Sequence, residues 1–145
     1  YDSKVDKFSK VKNLFPYLSP NGCTPEGLAI EAIMGIFNDI SPDEEEKYLL
    51  NLSDGEPYFP INIPSLKINM LYSKQVGVSH TKSQINKIRK RGVEILSYFI
   101  WDGVVDSDLE SNFKEMYGKS AKFINVNSIV ELARTINERF LSKQD

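Results

Sequence analysis

The sequence has 145 residues, 41% hydrophobic and 26% charged, which suits one domain with its own core and excludes a disordered or low-complexity chain. Its formal net charge of -2 excludes a strong global field for nucleic acid or anionic membrane. No apolar run approaches the roughly 18 residues that a membrane-spanning helix needs.

In chain order, Val5, Phe8, Val11, Leu14 and Phe15 recur at helical spacing within residues 1–18, with Lys4, Lys7, Lys10 and Lys12 between them. The spacing predicts an amphipathic helix with Ser3 as N-cap and Pro16 as its limit; the lysines read as its solvated side rather than a phosphate-binding face. A turn-rich loop from Ser19 to Gly27 follows. Thr24 stands in N-cap position, Pro25 in the first turn, and Glu26 suits the positive end of the helix dipole. The helix Glu26 to Asn38 is apolar almost all round, so it is expected to be largely buried, with Met34 and Phe37 in the core. Cys23 is a single cysteine, which excludes an internal disulfide and fits a reducing, cytoplasmic location; no secretory signal is visible. A catalytic Cys23 would need an activating base, and the one histidine, His80, is distant in sequence.

Tyr48, Leu49, Leu50 and Leu52 form a short apolar run broken only by Asn51 and ended by Ser53-Asp54-Gly55. This reads as a strand buried on both faces. Gly55 permits a sharp turn, so Asp54 projects past the sheet edge, where open α/β sheets place their ligands; the plainer reading is a tight turn alone. Residues 56–78 carry Pro57, Pro60 and Pro64 without a clear period and are expected to form a long packed loop. A helix follows over Ser79–Arg91. Its basic end suits the helix dipole rather than a nucleic-acid patch, and Gly92 closes it. Val93–Trp101 is a strand that again ends in Asp-Gly. Asp108–Tyr117 is a helix capped by Gly118, Ala121–Val126 a strand, and Ile129–Leu141 a helix capped by Asn127 or Ser128. The alternation predicts an α/β fold: a doubly wound, mainly parallel sheet with helices on both faces.

Such a sheet brings the turns at the carboxyl edge of neighbouring strands into one crevice. Thr24 and Asp54 would then offer a hydroxyl and a carboxylate oxygen, the ligand type that magnesium prefers. The sequence holds no Gly-rich phosphate loop, HExxH, CxxC or GxSxG.

Gly22-Cys23-Thr24-Pro25-Glu26-Gly27 before an apolar helix resembles the GGTP-type loop of von Willebrand factor A domains, and Leu52-Ser53-Asp54-Gly55-Glu56-Pro57 resembles their L-[ST]-D-G-x-P strand motif. The later strand EILSYFIW, the Met116-Tyr117-Gly118 segment and the run FINVNSIVELARTI extend the likeness over nearly all of the chain. The pattern is most similar to the intracellular branch, such as the CobT-type subunit of aerobic cobaltochelatase and phage-encoded relatives. The resemblance implies a metal-ion-dependent adhesion site for Mg2+, with Thr24 and Asp54 as metal ligands beside an Asp-x-Ser-x-Ser loop. Asp2-Ser3-Lys4-Val5-Asp6 departs from that loop. Residues 1–145 are therefore expected to be a single von Willebrand factor A-like domain truncated at its N-terminal side, and the missing Met at position 1 points the same way.

The expected function is a metal-dependent protein-interaction module that catalyses nothing itself, with an acidic side chain of a partner completing the magnesium coordination. By resemblance the partner is a MoxR-type AAA+ ATPase subunit of a chelatase-like assembly. The alternatives are a magnesium-dependent hydrolase or phosphotransferase using Asp54 and Asp102, and a structural domain without metal.

Overall fold

A computed structural model describes residues 5–17, 22–38, 47–63, 68–104, 106–128, 130, 133–134 and 136–138. Three parallel strands form the central sheet: β1 (Lys47–Ser53), β4 (Val93–Trp101) and β5 (Ala121–Asn125), in the order β1-β4-β5. Leu49 lies opposite Ile95, Asn51 opposite Ser97, and Ser53 opposite Phe99, which in turn faces Phe123. Helices α2 (Glu26–Asn38), α3 (Lys74–Arg89) and α4 (Ser107–Tyr117) flank this sheet. The fold is α/β and compatible with a doubly wound arrangement, as the alternation predicts.

Side chains alternate across each strand, so the sheet has two distinct faces. One face carries Ile95 and Phe99 beneath Ile30 of α2, Val78, Ile85 and Ile88 of α3, and Phe113, Met116 and Tyr117 of α4. Aromatic rings dominate its far end. Phe113 lies 4.8 Å from Tyr117 and 5.4 Å from Phe99, ring centre to ring centre. The other face holds Tyr98 and Ile124, with Leu96, Ile100 and Ile136 against them. The expected C-terminal helix falls partly outside the described residues.

Four expectations need correction. The first concerns residues 56–78, which are not a loop. They contain β2 (Tyr58–Ile63) and β3 (Ile68–Ser73), an antiparallel pair forming a second sheet, and α3 begins at Lys74 rather than Ser79. Prolines hid the strands, yet Pro60 is tolerated because each strand of a two-stranded sheet keeps an outer edge on which no N–H is needed. The second concerns β1. Leu50 and Leu52 are 43% and 53% exposed, so the strand is not buried on both faces. Among the described residues β1 pairs with β4 alone and so stands at the end of the three-stranded sheet. The third concerns α2, which is buried along one stripe only: Ile30 is enclosed, whereas Ile36 is 62% exposed. Among the described residues the helix packs chiefly on α3, which covers one side of it. The fourth concerns the N-terminal segment, a short α1 (Phe8–Val11) running into a 3-10 helix (Lys12–Tyr17) that includes Pro16. Phe8 and Leu14 are largely exposed there, so little apolar burial favours a longer α-helix.

The basic end of α3 works within the fold. The Arg89 guanidinium donates to the Tyr117 carbonyl at 2.5 Å and to Ser120 Oγ at 3.0 Å, closing the carboxyl end of α4. Arg91 donates to the Met34 carbonyl at 2.9 Å, at the end of α2. Among the described residues, no helix is long and apolar enough to cross a membrane.

Candidate functional site

The carboxyl end of β1 and the start of α2 enclose a cleft of about 320 Å³. Its apolar wall includes Ile30 and Ile33 of α2 and Leu49 and Leu52 of β1; Thr24, Glu26, Asn51 and Ser53 supply the polar groups. The backbone builds this corner. The Thr24 carbonyl accepts from Glu26 N–H at 2.8 Å and from Tyr58 N–H at 2.9 Å, so Thr24 bridges the entry of α2 to β2. On the other side, Ser53 Oγ accepts from Gly55 N–H at 3.0 Å and Asp54 Oδ1 from Glu56 N–H at 3.3 Å, which folds the chain back after β1. Gly55 adopts φ +87°, and the Phe99 ring occupies the space that a side chain would need. Only glycine meets both conditions.

Thr24 therefore stands on the cleft wall, and Asp54 follows the cleft residue Ser53 and is exposed to solvent. Asp54 is close enough to Glu26 for its charge to disfavour the ionised form of that carboxyl. Asp102, at the end of β4, is exposed and does not line the cleft. Cys23 lines the cleft and is exposed. His80 engages other groups: Tyr72 Oη at 3.1 Å, Gln84 Nε2 at 2.8 Å and Glu31 Oε2 at 3.5 Å. It braces α2 against α3 instead of serving Cys23. Gly27 lets this brace close, because the Tyr72 hydroxyl occupies the position of a Cβ there.

The structure adds a group that the sequence does not advertise. Glu26 is only 6% exposed, and its Oε1 accepts from Tyr117 Oη at 2.5 Å and from Asn51 Nδ2 at 2.7 Å. Asn51 Nδ2 also lies 2.9 Å from Tyr117 Oη and 3.2 Å from Ser97 Oγ. Among the described residues Glu26 Oε2 is buried without a well-formed hydrogen bond, the Ser53 hydroxyl being near enough only to act weakly on the carboxyl. Burial raises the carboxyl above its usual range; the Tyr117, Asn51 and Ser53 side chains oppose this, and Asp54 adds to it. Burial likewise holds the Tyr117 phenol far above its ordinary value, with Glu26 reinforcing the effect. Two clues in the sequence bear on this cluster: Glu26 opens an otherwise apolar helix, and Asn51 interrupts an apolar strand. Nothing local links either to Tyr117, which lies 91 positions from Glu26.

Among the described residues, no group of three or more His, Cys, Asp or Glu side chains is placed to hold a metal ion. Thr24, Asp54 and Glu26 are hard oxygen donors, which suit magnesium in kind. Among the described residues the number of such side chains falls short of a cage.

No family model matches the chain, and no solved structure matches it. Over 101 residues, 69% of the chain, it is 25% identical to a curated protein of Bacillus subtilis (strain 168) named "Uncharacterized protein YojO", and the match spans 14% of that protein's length.

Proposed function

We propose that the chain is a metal-dependent protein-interaction module of the von Willebrand factor A type, with Thr24 and Asp54 as its magnesium ligands. The observation that carries this reading is the meeting of two loops at one corner. The entry of α2 and the exit of a parallel strand adjoin the same cleft, with Thr24 on its wall and Asp54 beside it. Open α/β sheets bind their ligands outside the carboxyl ends of parallel strands. Bound magnesium would supply an electrophilic anchor for an acidic side chain of a partner. Thr24 and Asp54 would orient it, and the Gly55 turn fixes where Asp54 stands. The partner suggested by the resemblance is a MoxR-type AAA+ ATPase subunit in a chelatase-like assembly.

The test is calorimetric titration of the protein with such an ATPase subunit in magnesium and in excess chelator. The expected result is binding that disappears in chelator and in Asp54→Ala. Equal affinity under all three conditions overturns the reading.

A further inference from the structure

His80 sits among partners that a single proton can re-sort. In a neutral imidazole one nitrogen carries a proton and the other accepts. The Tyr72 hydroxyl donates to the Gly77 carbonyl at 3.3 Å, so its oxygen can accept from His80 Nδ1–H at 3.1 Å. Nε2 then accepts from Gln84 Nε2 at 2.8 Å. This setting leaves Gln84 Oε1 buried with no hydrogen-bond partner among the described residues, on a side chain only 2% exposed. Such an orphan in a native fold calls for an explanation. Turned end for end, the amide presents Oε1 to the ring and orphans its NH2 group instead. Each setting satisfies one end of the amide, so the proton on Nε2 decides between them.

A second acceptor stands across the helix interface. Glu31 Oε2 of α2 lies 3.5 Å from the same Nε2. Burial holds the Tyr72 phenol of β3 above its ordinary value, so it stays a neutral partner; Glu26 and Glu31 add to that effect from α2. On α3 itself the nearest cation in sequence, Lys82, pairs with Glu115 of α4 at 3.4 Å. Histidine is the residue type that changes charge near neutral pH.

We propose that His80 is a proton-operated clasp between α2 and α3. Uptake of one proton from solvent at Nε2 turns the Gln84 amide so that Oε1 accepts from Nε2–H, and the positive ring draws in the Glu31 carboxylate. Loss of the proton reverses both. The charged state thus holds α2 by an ion pair that the neutral state lacks. Ile30 and Ile33 of that helix wall the cleft, so the clasp acts on a helix that shapes it. The inference goes beyond the metal reading and does not depend on it, since His80, Gln84, Tyr72 and Glu31 do not line the cleft.

The test is an NMR titration of the protein from about pH 5 to 8, following the His80 ring nitrogens, the Gln84 side-chain NH2 signals and the Glu31 carboxyl carbon. The ring is expected to hold its proton on Nδ1 at the basic end and to be protonated on both nitrogens at the acidic end. The Gln84 and Glu31 signals are expected to share the midpoint of the ring. Glu31→Gln, at an exposed position, is expected to displace the ring and Gln84 midpoints together, because a charge beside the ring is removed. In His80→Asn the Gln84 and Glu31 transitions are expected to vanish; if that variant does not fold, Glu31→Gln decides the matter. The proposal is overturned if the Gln84 signals stay still while the ring titrates, or if the ring keeps one state across the range. A ring proton on Nε2 at the basic end, midpoints unmoved in Glu31→Gln, or a Gln84 transition that survives in folded His80→Asn overturns it too.

Discussion

At the scale of single residues, three positions carry sharp consequences. Gly55 combines a left-handed backbone with the Phe99 ring at its α-carbon. Gly55→Ala should cost about 2–5 kcal/mol in urea melts, from backbone strain plus overpacking. Gly27→Ala tests the same logic against helix propensity. Alanine ordinarily strengthens a helix by roughly 0.5–1 kcal/mol over glycine. Here the Tyr72 hydroxyl stands in the way, so a net loss of about 1–3 kcal/mol is expected from overpacking, smaller in a Tyr72→Phe background. Glu26 gives a pH signature. Its carboxyl, raised chiefly by burial, keeps its proton in the folded state to a higher pH than in the unfolded chain, where 4.5 is the ordinary value. The folded state therefore binds more protons in that window, and stability falls as pH rises from about 4.5 through the raised value. Denaturant melts across pH should show the stability of the natural protein declining relative to Glu26→Gln in that window and levelling above it. A constant difference between the two would remove Glu26 from the account.

At the scale of elements, local pattern was readable wherever packing follows from a single segment. The strand Val93–Trp101 and the span of the Glu26–Asn38 helix coincide with the structure because their apolar runs and flanking glycine, proline and polar residues decide them locally. The β2–β3 pair was not readable, because three prolines mask alternation and the pairing partner is another segment. Its laddered amides should exchange more slowly than those of residues 22–24, which lack a ladder apart from the Thr24 bridge. The inward face of α2 was overestimated for a related reason: composition shows how apolar a helix is, not how many neighbours cover it. Ile33, half-buried, should therefore lose less on truncation to Ala than the fully buried Ile85 of α3, for which about 2–5 kcal/mol is expected. Around the cleft, the places of Thr24 ahead of the helix and of Asp54 past the strand were legible from loop chemistry. The Glu26–Asn51–Tyr117 contact joins α2, β1 and α4 and could be seen only after folding. Tyr117→Phe removes a donor to a buried carboxyl and should cost about 1.5–3 kcal/mol.

For the whole molecule, the three-stranded sheet ends in β1, which pairs with β4 alone among the described residues and whose Leu50 and Leu52 meet solvent. An end strand with exposed apolar side chains invites association with another chain. Leu50→Lys should reduce concentration-dependent self-association in sedimentation while changing stability by no more than about 0.5 kcal/mol, as for an exposed surface site. The same strand borders the cleft that Thr24 and Glu26 line, with Asp54 just past its end. The most direct measurement is a magnesium titration of the protein and of Asp54→Ala, followed through the amide signals of Thr24, Ser53, Asp54 or its replacement, and Gly55. The account predicts weak, saturable shifts confined to this corner in the natural protein and their loss in Asp54→Ala, because one carboxylate and one hydroxyl hold the ion against water. Identical titrations of the two proteins, or shifts centred elsewhere, would contradict it.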